Sequence, residues 1–126
     1  MINNNDQLTT LISSFLDIQS RRTQVISSNL ANSDTPGFNA KELDFNDFLR
    51  QAAAEFITPN NQNNLLPKSE MQVVNQENNP VGLDGNTVDT AKEMSSLADA
   101  GMQYMTGTQL LQSRWQMIRL AIREGR

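Results

Sequence analysis

The stretch EMSSLADAGMQYMTGTQLLQSRWQMIRLAI, residues 93–122, decides which fold this chain is expected to adopt. Apolar and small residues recur in it at alternating steps of three and four, which is the spacing of one buried helix face. A helix over residues 87–124 is about 57 Å long at 1.5 Å per residue. Because a compact chain of 126 residues cannot enclose so long a helix, we expect it to pair with a second long helix. The predicted face comprises Met94, Leu97, Gly101, Tyr104, Thr108, Leu111, Trp115, Ile118 and Ile122.

The N-terminal segment supplies the predicted partner helix, over residues 7–30. Its apolar residues, beginning with Leu8, Leu11, Phe15 and Ile18, follow the same spacing. We therefore predict a mainly α fold in which the two terminal helices pair as in a coiled coil and flank an irregular middle segment. The predicted division of the chain is 1–32 for the first helix, 33–86 for a turn and the middle segment, and 87–126 for the last helix. The residues expected to pack the helices are Leu11, Phe15, Ile18, Leu97, Tyr104, Leu111, Trp115, Ile118 and Ile122.

The start of the last helix has two candidate capping sites. Asn86 or Thr87 follows an Asp-Gly turn and can cap the first amides, whereas Thr90 with Glu93 offers a capping box. Inside the helix, Gly101 and Gly107 each cost about 1 kcal/mol relative to alanine. We therefore expect either a bend or the close approach of a neighbouring backbone at these glycines.

The middle of the chain carries weaker signals. Residues 44–56 can form a short helix, 57–67 read as a linker, and 71–75 predict a short strand. The segment from 78 to 85 is rich in turn-forming residues.

Composition limits the classes of function. Hydrophobic residues make up 37% of the chain and the formal net charge is −4, which argues against nucleic acid as the main partner. The chain has no His and no Cys, so no disulfide, thiolate nucleophile or Cys-ligated metal site can form. No apolar run approaches the roughly 20 residues of a membrane span, and the N-terminus lacks the pattern of a cleavable signal peptide. We assign no catalytic residue, cofactor or metal ligand.

Carboxylates provide the one enzymatic alternative. Without His or Cys, an acid or base must come from Asp, Glu, Lys or Tyr, and Asp44 and Asp47 lie close together beside Glu42. A two-carboxylate enzyme that cleaves a cell-wall polymer is therefore conceivable. The favoured interpretation is that these residues cap or solvate a short helix. A soluble coiled-coil adaptor or secretion chaperone is the second alternative.

Arginines are concentrated in the last thirteen residues, at positions 114, 119, 123 and 126. Basic residues at a helix C-terminus complement the helix dipole, which is the favoured interpretation. The alternative is that they contact acidic surfaces of neighbouring copies.

The segment ANSDTPGFNA, residues 31–40, carries dense turn chemistry directly after the first helix. Asn29 and Asn32 tolerate left-handed backbone angles and can end a helix. Pro36 and Gly37 suit the two central positions of a type II turn, after which Phe38 is expected to pack back onto the helix. A simple helix stop requires only one glycine, so this segment specifies more than a stop.

Residues 28–40 closely resemble the N-terminal motif of the flagellar rod and hook proteins, in which Asn-x-Ala-Asn-x-x-Thr-x-Gly-aromatic follows the first helix. The triplet LDF at 43–45 and the segment LDGNTVD at 83–89 are most similar to the rod members at the proximal end. The resemblance covers residues 8–49 and 83–122. The motif residues, which we expect to serve assembly, are Asn29, Ala31, Asn32, Thr35, Pro36, Gly37 and Phe38.

This resemblance implies a non-enzymatic structural subunit of the proximal rod in the bacterial flagellar basal body. Members of the family pair their terminal helices and stack the pairs helically into a tube. They leave the cytoplasm through the flagellar type III export apparatus, without a cleavable signal peptide, and form the rod in the periplasm. The implied partners are copies of the chain, other rod proteins, the base adaptor and the export gate. In such a tube, the motif turn would fix where the chain leaves the helix pair.

Overall fold

Two long helices dominate the computed structural model, which describes residues 4–44, 71–77 and 79–125. Helix α1 (Asn4–Ala31) has 28 residues and helix α2 (Thr90–Glu124) has 35. Between them lie two short strands, β1 (Lys41–Asp44) and β2 (Gln72–Asn75). The predicted mainly α class, with two long terminal helices around a smaller middle, is confirmed.

The two helices form an antiparallel pair. Arg22 of α1 lies 3.5 Å from the carboxylate of Asp99 in α2. Further toward the C-terminus of α2, Gly107 lies against Phe15 and Leu16 of α1. Residue numbers rise along α1 as they fall along α2, so the C-terminus of α1 meets the start of α2.

The buried residues of α2 differ from the predicted face. They are Glu93, Ala100, Gly107 and Arg114, spaced seven residues apart. We call this line of residues the seam. The expected close approach of a neighbour occurs at Gly107, where a Cβ would lie 2.8 Å from Cδ2 of Leu16, although the neighbour is a side chain and not a backbone. At Gly101 a Cβ would meet nothing within 4 Å.

The predicted packing residues of α2 therefore divide into two groups. Leu97, Leu111 and Ile118 are half-buried beside the seam. Tyr104, Trp115 and Ile122 are 44%, 55% and 69% exposed, so the expectation that they pack inside the chain needs correction. Their contact with other subunits remains a prediction.

On α1, the buried apolar residues are Ile12, Ile18 and Ile26. Leu11 is half-buried, whereas Phe15 lies at the edge of the seam and is 38% exposed. The α1 side of the pair is thus mainly aliphatic, although the amide side chain of Gln19 is also buried.

The strands form a two-stranded antiparallel sheet in which Lys41 pairs with Asn75 and Leu43 with Val73. The prediction of a strand at 71–75 is confirmed by β2, whereas β1 was not predicted. Asp44, expected to begin a short helix, is the last residue of β1. The rest of that predicted helix and the linker at 57–67 lie outside the described residues.

Helix α2 begins at Thr90, later than a cap at Asn86 or Thr87 would require. The predicted capping box is also wrong by one residue, because Thr90 lies inside the helix and is not its cap. Asp89 is its N-cap, and the Asp89 side chain accepts a hydrogen bond of 3.1 Å from the backbone amide of Lys92. Asn86 and Thr87 lie before the helix, and their side chains form hydrogen bonds with residues of the 29–41 segment. In the described part of the chain, neither helix has an apolar stretch sufficient to cross a membrane.

Candidate functional site

The motif turn reverses the chain directly after α1. The amide of Thr35 donates to the carbonyl of Asn32 at 3.0 Å, and the amide of Phe38 donates to the carbonyl of Thr35 at 3.2 Å. The second turn encloses Pro36 and Gly37, and Gly37 has a φ of 71°. This is the geometry predicted for a type II turn, whose third residue requires a positive φ.

Another turn, which contains Gly85 and precedes α2, packs against the motif turn. Gly85 also has a positive φ, of 79°, and a Cβ placed on it would lie 3.5 Å from the Cα of Gly37. Two backbone hydrogen bonds of 3.0 Å join the turns: Gly37 donates to Asp84, and Thr87 donates to Phe38. We call residues 29–41 together with 84–89 the junction.

Asn86 holds the junction together. Its side chain is 94% buried, and its Nδ2 lies 2.9, 2.8 and 2.9 Å from the carbonyl oxygens of Asn32, Ser33 and Thr35. Its Oδ1 accepts a 2.7 Å hydrogen bond from the amide of Val88. The carbonyls of Asn32 and Thr35 also accept backbone hydrogen bonds within the motif turn, so this one amide group adds a second donor to them and draws the turn onto the start of α2.

Asn29 connects α1 to β1. It had been expected to end the helix, but it does not. It lies fully buried inside α1. Its Nδ2 donates to the carbonyl of Lys41 at 2.7 Å, and its Oδ1 accepts from the amide of the same residue at 2.9 Å. The side chain thus pairs with β1 as a neighbouring strand would, which blocks that part of the sheet edge.

Further hydrogen bonds connect the sheet to the start of α2. The Thr87 hydroxyl accepts from the amide of Ala40 at 2.8 Å, and the carbonyl of Ala40 accepts from the amide of Gln76 at 2.8 Å. The Asn79 side chain donates to the carbonyl of Thr87 at 3.0 Å. These bonds make the junction the point at which both helices and the sheet meet.

The other motif residues lie on the surface of the junction or at its edge. Asn32 donates from its side chain to the carbonyl of Ser28 at 2.8 Å and accepts from the Thr35 hydroxyl at 3.2 Å. Phe38 is half-buried. Ala31, Pro36 and Gly37 are exposed. The motif therefore combines internal clamps with an exposed turn.

Sequence reasoning missed the role of Asn86, which had been considered only as a helix cap. Its three carbonyl partners lie 51 to 54 positions earlier in the chain, so no local pattern could identify them. The available signal was its place after Asp84–Gly85, which marks a tight turn.

The described side chains of the junction form structural hydrogen bonds and are not arranged as a catalytic site. Within residues 4–44, 71–77 and 79–125, no three side chains of His, Cys, Asp or Glu are grouped so as to hold a metal ion. Of the carboxylates considered for catalysis, Asp44 ends β1 and Asp47 lies outside the described residues.

The exposed surface of α2 is unusually apolar. At 100° per residue, Tyr104, Trp115 and Ile122 fall about 60–80° to one side of Gly107, and Leu110 and Met117 fall by a similar angle to the other. We call these the two apolar strips. Contiguous exposed apolar surface of this kind marks a site of protein contact. The exposed large apolar residues of α2 are Met94, Met102, Tyr104, Met105, Leu110, Trp115, Met117, Leu120 and Ile122.

Comparison with known proteins also identifies the segment that contains the motif turn. The family model described as "Flagella basal body rod protein" matches residues 16–39, from the middle of α1 through the motif turn. The flagellar basal body rod protein FlgB of Aeromonas hydrophila is 31% identical over 105 residues, covering 79% of this chain and 80% of the relative.

Two further relatives carry the same description. FlgB of Yersinia enterocolitica is 30% identical over 108 residues, with 76% of this chain and 79% of the relative covered. FlgB of Escherichia coli K12 is 29% identical over 110 residues, with 71% and 73% covered. Similarity therefore extends over most of the chain, well beyond the motif turn, and the chain belongs to the flagellar basal body rod protein family.

Proposed function

We propose that this chain is a structural subunit of the proximal rod of the flagellar basal body. The observation that carries this proposal is the pair of apolar strips on α2. Trp115 is 55% exposed and Ile122 is 69% exposed, although both are residues that proteins normally bury. A subunit that functions within an assembly can cover such surface with its neighbours.

The helix pair and the junction have separate roles in the proposed assembly. The pair acts as the stacking unit, because its strips leave apolar surface on both sides of the seam. The junction sets the direction in which the chain leaves α1, since Asn29 and Asn86 hold the turn rigidly against β1 and the start of α2. In the assembled rod, the exposed turn at Pro36 and Gly37 contacts an adjacent subunit.

The proposal includes a route and a set of partners. The chain reaches the periplasmic rod through the flagellar type III export apparatus, without a cleavable signal peptide. Its partners are copies of itself, other rod proteins, the base adaptor and the export gate. Membership of the rod protein family supports this part of the proposal.

Deletion and rescue test the proposal in the source bacterium. Without the chain, we expect basal bodies to lack a rod and cells to be non-motile, and expression of the chain restores both. Purified basal bodies examined by electron microscopy give the direct readout. Complete rods in the deletion strain would contradict the proposal, as would a chain found only as a discrete cytoplasmic dimer.

A further inference from the structure

A groove of about 660 Å³ lies beside the junction, between α1, the sheet and the first turn of α2. Ser96 and Glu93 of α2 line one wall, and Glu42 and Glu77 line the sheet side. Glu93 belongs both to the seam and to this groove, so the groove lies at the end of the seam nearest the junction. Its charges indicate what it binds.

At the groove, Glu93 has an unsatisfied carboxylate. The residue is 1% exposed, and its Oε1 accepts a 2.8 Å hydrogen bond from Nε2 of Gln76. Its Oε2 is buried and has no hydrogen-bond donor among the described residues. Because a buried carboxylate oxygen without a donor is costly, the site favours an incoming donor that carries positive charge.

The cations that line the groove do not balance its carboxylates. Arg22 pairs with Asp99 at 3.5 Å, and Nζ of Lys92 donates to Oδ1 of Asn79 at 2.9 Å. Because Asn79 is neutral, the positive charges of Lys41 and Lys92 remain, against the three carboxylates of Glu42, Glu77 and Glu93. The groove therefore keeps an excess of negative charge.

The complementary surface lies at the other end of the same helix. Arg119 and Arg123 are exposed near the C-terminus of α2, and neither is ion-paired with another described residue. Thirty residues separate Glu93 from Arg123, about 45 Å at 1.5 Å per residue, so the two surfaces cannot meet within one chain.

We propose that the groove receives the arginine-bearing end of α2 from a second copy of this chain. The guanidinium of Arg123 or Arg119 enters between the rim carboxylates, and the Glu93 carboxylate gains the donor that it lacks. Because the two contacting surfaces differ, the interface is heterologous and each copy keeps one free groove and one free end. Repetition of the contact builds a row of subunits. This inference rests on the proposed function as a rod subunit and adds the contact between copies.

Engineered disulfides test this contact cleanly, because the chain has no native cysteine. A Ser96→Cys, Gln116→Cys pair places one thiol at the groove and one on the helix face that carries Arg119. These positions are about 30 Å apart within a chain, far beyond the reach of a disulfide, so any bond joins two copies. The control pair, Ser96→Cys with Ala121→Cys, places the second thiol on the opposite face of the same helix end, about 140–160° from Gln116, Arg119 and Arg123 at 100° per residue. Ala121 is exposed, as Gln116 is.

Basal bodies from cells carrying each pair are oxidised and analysed on non-reducing gels. We expect a ladder of dimers and larger multimers from the first pair only. In that background, Glu93→Gln or Arg123→Gln lowers the yield about tenfold, whereas Glu124→Gln leaves it unchanged. Circular dichroism checks that Glu93→Gln retains the helix content of the native chain.

Three outcomes would overturn the inference: no multimers above the control pair, equal yields with Glu93→Gln and Glu124→Gln, or dimers from Ser96→Cys alone. The last result would reveal a symmetric contact. If the chain is present in rods while the ladder is absent, the head-to-tail contact fails and the rod function stands. If the chain is absent from basal bodies, the proposed function itself fails.

Discussion

The substitution Asn86→Asp tests whether one buried amide holds the junction together. It keeps the shape of the side chain but replaces the Nδ2 donor by an oxygen, which then faces three carbonyl oxygens at 2.8 to 2.9 Å. Losing the donor and placing a carboxylate oxygen against these carbonyls costs about 1–3 kcal/mol, although the carbonyls of Asn32 and Thr35 keep their backbone donors. Burial of the negative charge adds to that cost. We therefore expect the junction to lose about 2–3 kcal/mol, which corresponds to a 30- to 150-fold change in its opening equilibrium.

Hydrogen exchange measures this loss locally. The amides of Gly37 and Thr87 bridge the two turns, so their exchange reports opening of the junction. The matched control is Asn39→Asp, the same chemical change at an exposed position of the motif. Exchange at Gly37 in Asn86→Asp that stays within about twofold of this control would refute the clamp role of Asn86. We also expect rod assembly to fail in the Asn86→Asp strain.

Three further substitutions test other parts of the account. Gly37→Val places a β-branched residue at a φ of 71°, costing about 1–2 kcal/mol or more, and we expect non-motile cells with normal export. Gly37→Asn, which tolerates that φ, should retain much of the motility, and equal swimming of the two strains would show that the backbone angle is unimportant. Gly107→Val should lower the helix content of the isolated chain, because a Cβ there already lies 2.8 Å from Cδ2 of Leu16. The control is Gly101→Val, where a Cβ meets nothing within 4 Å, and a similar loss in both would contradict the seam. Trp115→Ala should leave the isolated chain nearly unchanged but block rod completion, since a fully packed tryptophan contributes about 3–5 kcal/mol. Gln116→Ala should be nearly silent, and secreted protein levels control for export.

The helices and the motif turn were predictable because their signals are local. Spacings of three and four from Leu8 to Ile18, and again through the last helix, report helix formation directly. The Pro36–Gly37 pair similarly predicts its own turn, because a positive φ at the third position demands glycine or asparagine.

Apart from the close approach expected at Gly107, the seam and the junction were not predictable, for two physical reasons. Helix faces were ranked by hydrophobicity, whereas the closest contact follows the small residues Ala100 and Gly107. The clamp at Asn86 acts on carbonyls more than fifty positions earlier, so it exists only once the two turns have met. The displaced apolar residues, including Trp115, became the exposed strips on which the proposed function rests.

Electron cryo-microscopy of isolated basal bodies tests the central claim most directly. Reconstructions from the native strain, at a resolution that separates helices, are compared with those from a strain carrying a tagged chain to locate the subunit. The account predicts the antiparallel helix pair within the proximal rod, with the strip of Tyr104, Trp115 and Ile122 buried against adjacent subunits. Absence of the chain from the rod, or a rod subunit whose apolar strips face solvent, would contradict it.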